Sequence, residues 1–115
     1  MKKLCAIRDV CRAIGEFEQE FSALHGISLN EGMVLCSLKE KRLSSGEIAK
    51  QINLTCSNTS KLIRTIEDKG FIERVMGEED RRQMYFSLTK KGLLKMREIE
   101  EDNIELTGPL KLIAK

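Results

Sequence analysis

The sequence predicts a mainly α-helical chain that carries one small two-stranded antiparallel sheet. Apolar residues recur every three or four positions over most of its 115 residues, and clear period-two alternation is confined to the stretch near residues 71–88. Four phenylalanines, one tyrosine and a single proline are too few for a β-sandwich, and 33% charged residues balanced by 41% hydrophobic ones argue against disorder. A chain of this length can bury a core without staples, so one domain over 1–115 is expected.

The net charge is only +2, but its distribution is uneven. From Lys69 to Arg97 eight Lys/Arg face four Asp/Glu, whereas from Glu98 to Lys115 two face five. A basic centre is therefore followed by an acidic tail. The four cysteines, Cys5, Cys11, Cys36 and Cys56, contain no C-x-x-C pair, and His25 is the only histidine, so neither a zinc site nor any other cofactor is expected. The opening MKKLCAIRDV lacks the apolar core of a signal peptide, and no apolar run approaches the roughly 20 residues that span a bilayer. A cytoplasmic chain with no membrane partner and reduced thiols is expected.

Leu4, Ile7, Cys11, Ile14, Phe17, Phe21 and Leu24 line one face of a first helix from Lys3 to Leu24. His25-Gly26 ends it, because glycine accepts the left-handed conformation beyond a helix end. This stripe is longer than a small domain would cover, and it predicts packing on a second subunit, against the plainer reading of packing within one chain. Ser28-Leu29-Asn30-Glu31 has the spacing of a capping box and starts a second helix. Met33, Val34, Leu35, Leu38 and Cys36 supply its apolar positions, with Cys36 expected to be a buried inert thiol, and Lys39 to Arg42 form a basic last turn.

Ser44 and Glu47 form a second capping box for a short third helix that turns Ile48, Ala49 and Ile52 inward. Asn53-Leu54-Thr55 is the turn, and Thr55 caps a fourth helix, Cys56 to Lys69, by accepting the amide of Ser57 or Asn58. At 3.6 residues per turn, Thr59, Leu62, Ile63 and Ile66 fall on one side of it. Ser57, Asn58, Ser60, Lys61, Arg64 and Thr65 fall on the rest. Such a face is small, polar and basic, which suits a helix entering the major groove by its N-terminal half; the bland alternative is a solvated surface.

Gly70 closes that helix, Phe71 to Met76 and Gln83 to Leu88 alternate as two strands, and Gly77 to Arg82 is the hairpin loop. Asp80 precedes Arg82 by two residues, close enough to hold the guanidinium extended toward a narrow minor groove, or else to form an ordinary surface ion pair. Thr89 caps a last helix carrying Leu93, Leu94, Met96, Ile99, Ile104 and Leu106, and Gly108-Pro109 is expected to break it before LKLIAK. A helix, a turn, a second capped helix and two strands around a charged loop make a winged helix-turn-helix, here over residues 28–92.

LTCSNTSKLIRTIEDKGFIERV followed by DRRQMYFSLTKKG resembles the MarR family of bacterial winged helix-turn-helix transcription regulators. Asp80, Arg82, Leu88-Thr89 and Gly92 stand at the spacing of that family's wing signature, and the likeness extends over about residues 4 to 106. The resemblance implies a homodimer whose N- and C-terminal helices, 1–25 and 90–115, form the dimer base, with two winged lobes on a near-palindromic double-stranded DNA operator. It implies a repressor that sets helix 56–69 in the major groove and the 77–82 wing loop at the minor groove, with Arg82 as the inserted arginine and Asp80 orienting it. Ser57, Asn58, Ser60, Lys61, Arg64 and Arg81 complete the candidate DNA-binding set. The family's usual sixth helix is replaced by the short LKLIAK end, so the dimer base and the pocket for a small-molecule effector are expected to differ.

An oxidant effector is the other regulatory candidate. Cys56 opens the fourth helix, where the helix N-terminus favours the thiolate. Cys5 and Cys11 are six residues apart on the first helix, about 9 Å along its axis, too far for an intrahelical disulfide but not for a bridge across a dimer. Four thiols in a reducing compartment are otherwise ordinary small hydrophobes. A protein-docking module of the same fold is the alternative function, opposed by the lack of large apolar anchors on the fourth helix. One histidine, no glycine-rich phosphate loop and no nucleophile-base arrangement leave nothing from which to build an enzyme site.

Overall fold

A computed structural model describes residues 2–77 and 82–113. Its elements are α1 (Lys3–His25), α2 (Leu29–Ser37), α3 (Ser45–Ile52), α4 (Cys56–Asp68), β1 (Ile72–Met76), β2 (Met84–Leu88) and α5 (Lys90–Glu100), followed by a 3-10 helix over Gly108–Ile113. They fall into two compact units. One joins residues 1–29 to 102–115, and the other runs from Asn30 to Glu101.

In the first unit α1 runs to His25 and stops at Gly26, whose φ of 71° is left-handed. Ala13, Phe21 and His25 are its buried residues. His25 Nε2 lies 2.7 Å from Asp102 Oδ2, and the His25 ring sits 4.8 Å from that of Phe21. Much of the predicted stripe is uncovered: Leu4 is 81% exposed, and Ile7, Ile14 and Leu24 are exposed with it.

The last helix differs from expectation. It ends at Glu100 instead of running on through Ile104 and Leu106, and Gly108-Pro109 opens a 3-10 turn instead of breaking an α-helix. Asp102 explains the early end, since its Oδ1 accepts the Ile104 amide at 3.1 Å while its Oδ2 is held by His25. A carboxylate that captures a backbone amide two residues on offers the chain a turn in place of the next helical bond.

In the second unit α2 buries Glu31, Gly32, Val34 and Leu35, and ends at Ser37. Lys39 to Arg42 lie beyond it, because the Leu38 and Lys39 amides close a tight turn on Leu35 and Cys36. Cys36 is exposed, not buried. Val34, Leu35 and Leu38 occupy the inward side of α2, so residue 36 is rotated toward solvent.

α3 begins at the predicted capping box: the Ser44 hydroxyl accepts the Glu47 amide at 3.2 Å, and the Ser44 amide donates to Glu47 Oε1 at 2.9 Å. The Ser44 amide, and after it the Ser44 side chain, pull the Glu47 carboxyl below the ordinary carboxylate range. The folded-state pKa is therefore below the unfolded one. The cap stabilises fully above the unfolded value and fades as pH falls through the folded value. The difference in melting temperature between the wild type and Glu47→Ala should shrink on acidification. A difference independent of pH through the acid range would rule out a charged cap.

The turn after α3 places Asn53 at φ 56°, ψ 49°, a left-handed conformation that asparagine tolerates. Thr55 then caps α4 by accepting the Asn58 amide at 3.1 Å. Thr59, Ile63 and Ile66 are buried along α4 against a core that includes Leu35, Ile48, Phe71 and Phe86. Gly70, at φ 82°, turns the chain into β1. β1 pairs with β2 antiparallel in the register Ile72↔Leu88, Arg74↔Phe86 and Met76↔Met84. Leu43 adds a bridge to Phe86, its carbonyl accepting the Phe86 amide at 2.8 Å, which ties the segment before α3 to the wing.

Candidate nucleic-acid interface

The candidate reading head is the outward face of α4. Ser57, Asn58, Ser60, Lys61, Arg64 and Thr65 are all exposed on it, as the helical spacing requires once Thr59, Ile63 and Ile66 turn inward. No carboxylate occurs from Cys56 to Ile66, so the first three turns carry only the positive charges of Lys61 and Arg64. Neither cation has a carboxylate partner among the described residues, and the side chains of Ser57, Asn58 and Ser60 make no hydrogen bond among them. Their donors and acceptors are available to base edges and their cations to phosphates. The first acidic residue, Glu67, is engaged by Arg74, whose Nε and Nη2 donate to it at 3.0 and 3.2 Å, and this contact holds the guanidinium more firmly protonated.

Asp80 and Arg81 lie outside the described residues. Arg82 begins the return strand's approach and is exposed. The strands hold the two ends of the wing loop together, with the Gly77 amide donating to the Gln83 carbonyl at 2.9 Å.

Thr89 joins the wing to the end of α4, and Lys69 joins that end to α2. Thr89 Oγ1 donates to the Gly70 carbonyl at 2.6 Å and accepts the Gly92 amide at 3.1 Å, while the Thr89 amide donates to the Phe71 carbonyl at 3.0 Å. Lys69, at the end of α4, donates to Glu31 Oε2 at 2.7 Å, linking α4 to the buried carboxylate of α2. α4 is thus anchored at both ends, by Thr55 and by this cluster.

Sequence reasoning missed Asn30, which lines a groove with Leu54, Asn58, Lys61, Leu62 and Thr65. It also read Arg42 as a helix end. The Leu43 bridge instead brings Arg42 over the Tyr85 ring on the wing, at 5.7 Å. Neither placement has a local sequence signal, because each depends on pairing between distant segments.

Cys56 is exposed at the start of α4, and Cys5 and Cys11 are exposed on α1. Among the described residues no group of His, Cys, Asp and Glu could hold a metal ion, and no helix is long and apolar enough to cross a membrane.

Comparison with known proteins decides which family this geometry represents. The MarR family model matches residues 27–84, from just past α1 through the first residue of β2. The chain belongs to the MarR family. The HTH-type transcriptional regulator PapX of Escherichia coli is 33% identical over 87 residues, covering 73% of this chain and 53% of PapX. The HTH-type transcriptional repressor YetL of Bacillus subtilis is 28% identical over 95 residues, covering 78% of this chain and 56% of YetL. This MarR-family chain spans about half the length of the curated relatives it matches. In structure it is similar to MepR of S. aureus in its DNA-binding conformation, with a TM-score of 0.78 at 21% identity, over 87% of this chain and 75% of that one. That likeness shows the fold: a mostly helical winged helix with a two-stranded sheet.

Proposed function

We propose that the chain is a sequence-specific DNA-binding transcription regulator, a repressor that occupies a near-palindromic operator as a homodimer. α4 enters the major groove and the 77–82 loop lies at the minor groove, with Arg82 as the wing arginine, Asp80 orienting it and Arg81 on a phosphate. One observation carries the reading: a capped helix presents six exposed polar or basic residues and no carboxylate over its first three turns. Asn58 and Ser57 are the base-edge readers, Ser60 supports them, and Lys61 and Arg64 neutralise phosphate. The naming of YetL as a repressor supports the direction of regulation.

Dimerisation is supported by apolar surface with nothing over it. Leu4, Ile7, Ile14 and Leu24 on α1, and Leu112 and Ile113 in the 3-10 helix, are exposed in the single chain. Water-exposed patches of this kind mark subunit contacts. Sedimentation equilibrium should give twice the 13.1 kDa chain mass, and a monomer at micromolar concentration would remove this part of the proposal.

The deciding experiment is selection of bound fragments from a random duplex pool by the purified chain. A palindromic consensus is expected, with affinity falling steeply as salt rises because bound cations release counterions. Failure to enrich any sequence would overturn the proposal.

An oxidant or small-molecule effector belongs to the same reading, with Cys56, exposed at the N-terminus of α4, as the proposed responding thiol. Alkylation with a bulky maleimide should abolish operator binding in the wild type and spare it in Cys56→Ser, although Cys5, Cys11 and Cys36 remain exposed to the reagent. Equal loss in both proteins would move the sensitivity to another thiol.

A further inference from the structure

The groove between the first turn of α2 and one flank of α4 has a chemistry that the reading face alone does not use. Its volume is about 330 Å³, and it is lined by Asn30, Leu54, Asn58, Lys61, Leu62 and Thr65. Leu54 and Leu62 are half-buried and form an apolar floor, while Asn58 and Lys61 on its rim are two of the proposed DNA contacts. Among the described residues no carboxylate lines it. Two further grooves differ: one along α3 is lined by Glu47, and one on α1 by Asp9 and Glu16. A surface that joins an apolar floor to a cation and an amide, with no negative charge, is complementary to a DNA strand offering a phosphate, an adenine edge and a methyl group.

We propose that this groove reads a thymine: the C5-methyl seats on Leu54 and Leu62, at or next to an A·T pair whose adenine edge is held by Asn58. The methyl is the one apolar group that the major groove displays, and an apolar side chain beside it distinguishes thymine from cytosine without a hydrogen bond. Asn58 and Leu62 are one helical turn apart on α4, so an amide on adenine and a leucine on the methyl of the same or the adjoining pair follow from a single placement of the helix. Asn30 walls the groove from α2, and Lys61 takes the phosphate beside it. The inference rests on the proposed DNA binding and names a base that α4 specifies.

The test uses the operator consensus selected by the full chain, with each thymine of a half-site replaced in turn by deoxyuridine, which removes the methyl and nothing else. One position is expected to weaken binding by about fourfold, the worth of one buried methyl group. That penalty should disappear in Leu62→Ala or in Leu54→Ala, each compared with its own affinity for the unmodified operator. The deoxyuridine series on the wild-type chain leaves the protein untouched, so it decides the matter even if a leucine variant folds poorly. A consensus whose half-sites hold no A·T pair under α4, or a series with no penalty at any thymine, overturns the inference while leaving DNA binding intact. A penalty that persists undiminished in both leucine variants also overturns it. If no consensus is selected, DNA binding and this inference fall together.

Discussion

Gly92→Ala is expected to destabilise the fold by about 3 kcal/mol, at the upper end of what overpacking costs, and to lower the melting temperature by roughly 12 °C or more. Gly92 is buried in the first turn of α5, and a Cβ built on it would lie 2.1 Å from the Phe71 carbonyl oxygen and 3.3 Å from Leu88 Cδ2. The nearest atom is backbone, so no side-chain rotation relieves the clash. Either α5 or the segment joining α4 to β1 must move. Both are fixed by Thr89, which bonds the Gly70 carbonyl, the Phe71 carbonyl and the Gly92 amide. Displacing this junction would also tilt the wing relative to α4, so operator affinity should fall even in the fraction that stays folded. Thermal denaturation followed by circular dichroism reads the first effect, and a melting temperature within about 2 °C of the wild type would refute the packing argument.

Arg82→Ala is expected to weaken operator binding by about 1 to 3 kcal/mol, a factor of roughly 5 to 150, with little change in stability. Arg82 is exposed at the foot of the wing loop, so its removal opens no cavity. A minor-groove arginine gains from the concentrated negative potential of a narrow groove, and its loss should also reduce the slope of log affinity against log salt by about 1. Titration by fluorescence anisotropy at several salt concentrations separates the two contributions. Unchanged affinity would dismiss the minor-groove role. A lost salt slope without lost discrimination among operators would make Arg82 a phosphate contact instead.

Much of the reading unit was legible because its signals are local. Ser44 with Glu47, and Thr55 with Asn58, are contacts over three residues, and the chain forms them as the spacing implies. The two faces of α4 follow from helical geometry for Thr59, Ile63 and Ile66, which share the buried side, whereas Leu62, expected with them, is only half-buried and lines the groove with Asn58. The errors have a common form. Cys36 is apolar enough to belong in a core, but its rotation on α2 depends on which side the rest of the unit covers. The last helix carries apolar residues as far as Leu106, yet it ends at Glu100, two residues before Asp102, whose carboxylate is bonded to His25, 77 residues earlier.

Spacings of a few residues carry the order of elements, the caps at Ser44, Thr55 and Thr89, the basic and carboxylate-free face of α4 and membership of the winged class. Only the tertiary structure decided why position 92 is glycine, where α5 stops and which residues share a groove with Asn58. Those features are set by the approach of backbone and side chains far apart in the chain: Phe71 over Gly92, His25 on Asp102, and Asn30 beside α4. Local periodicity fixes which way a side chain faces on its own element, and packing between elements fixes what it meets there.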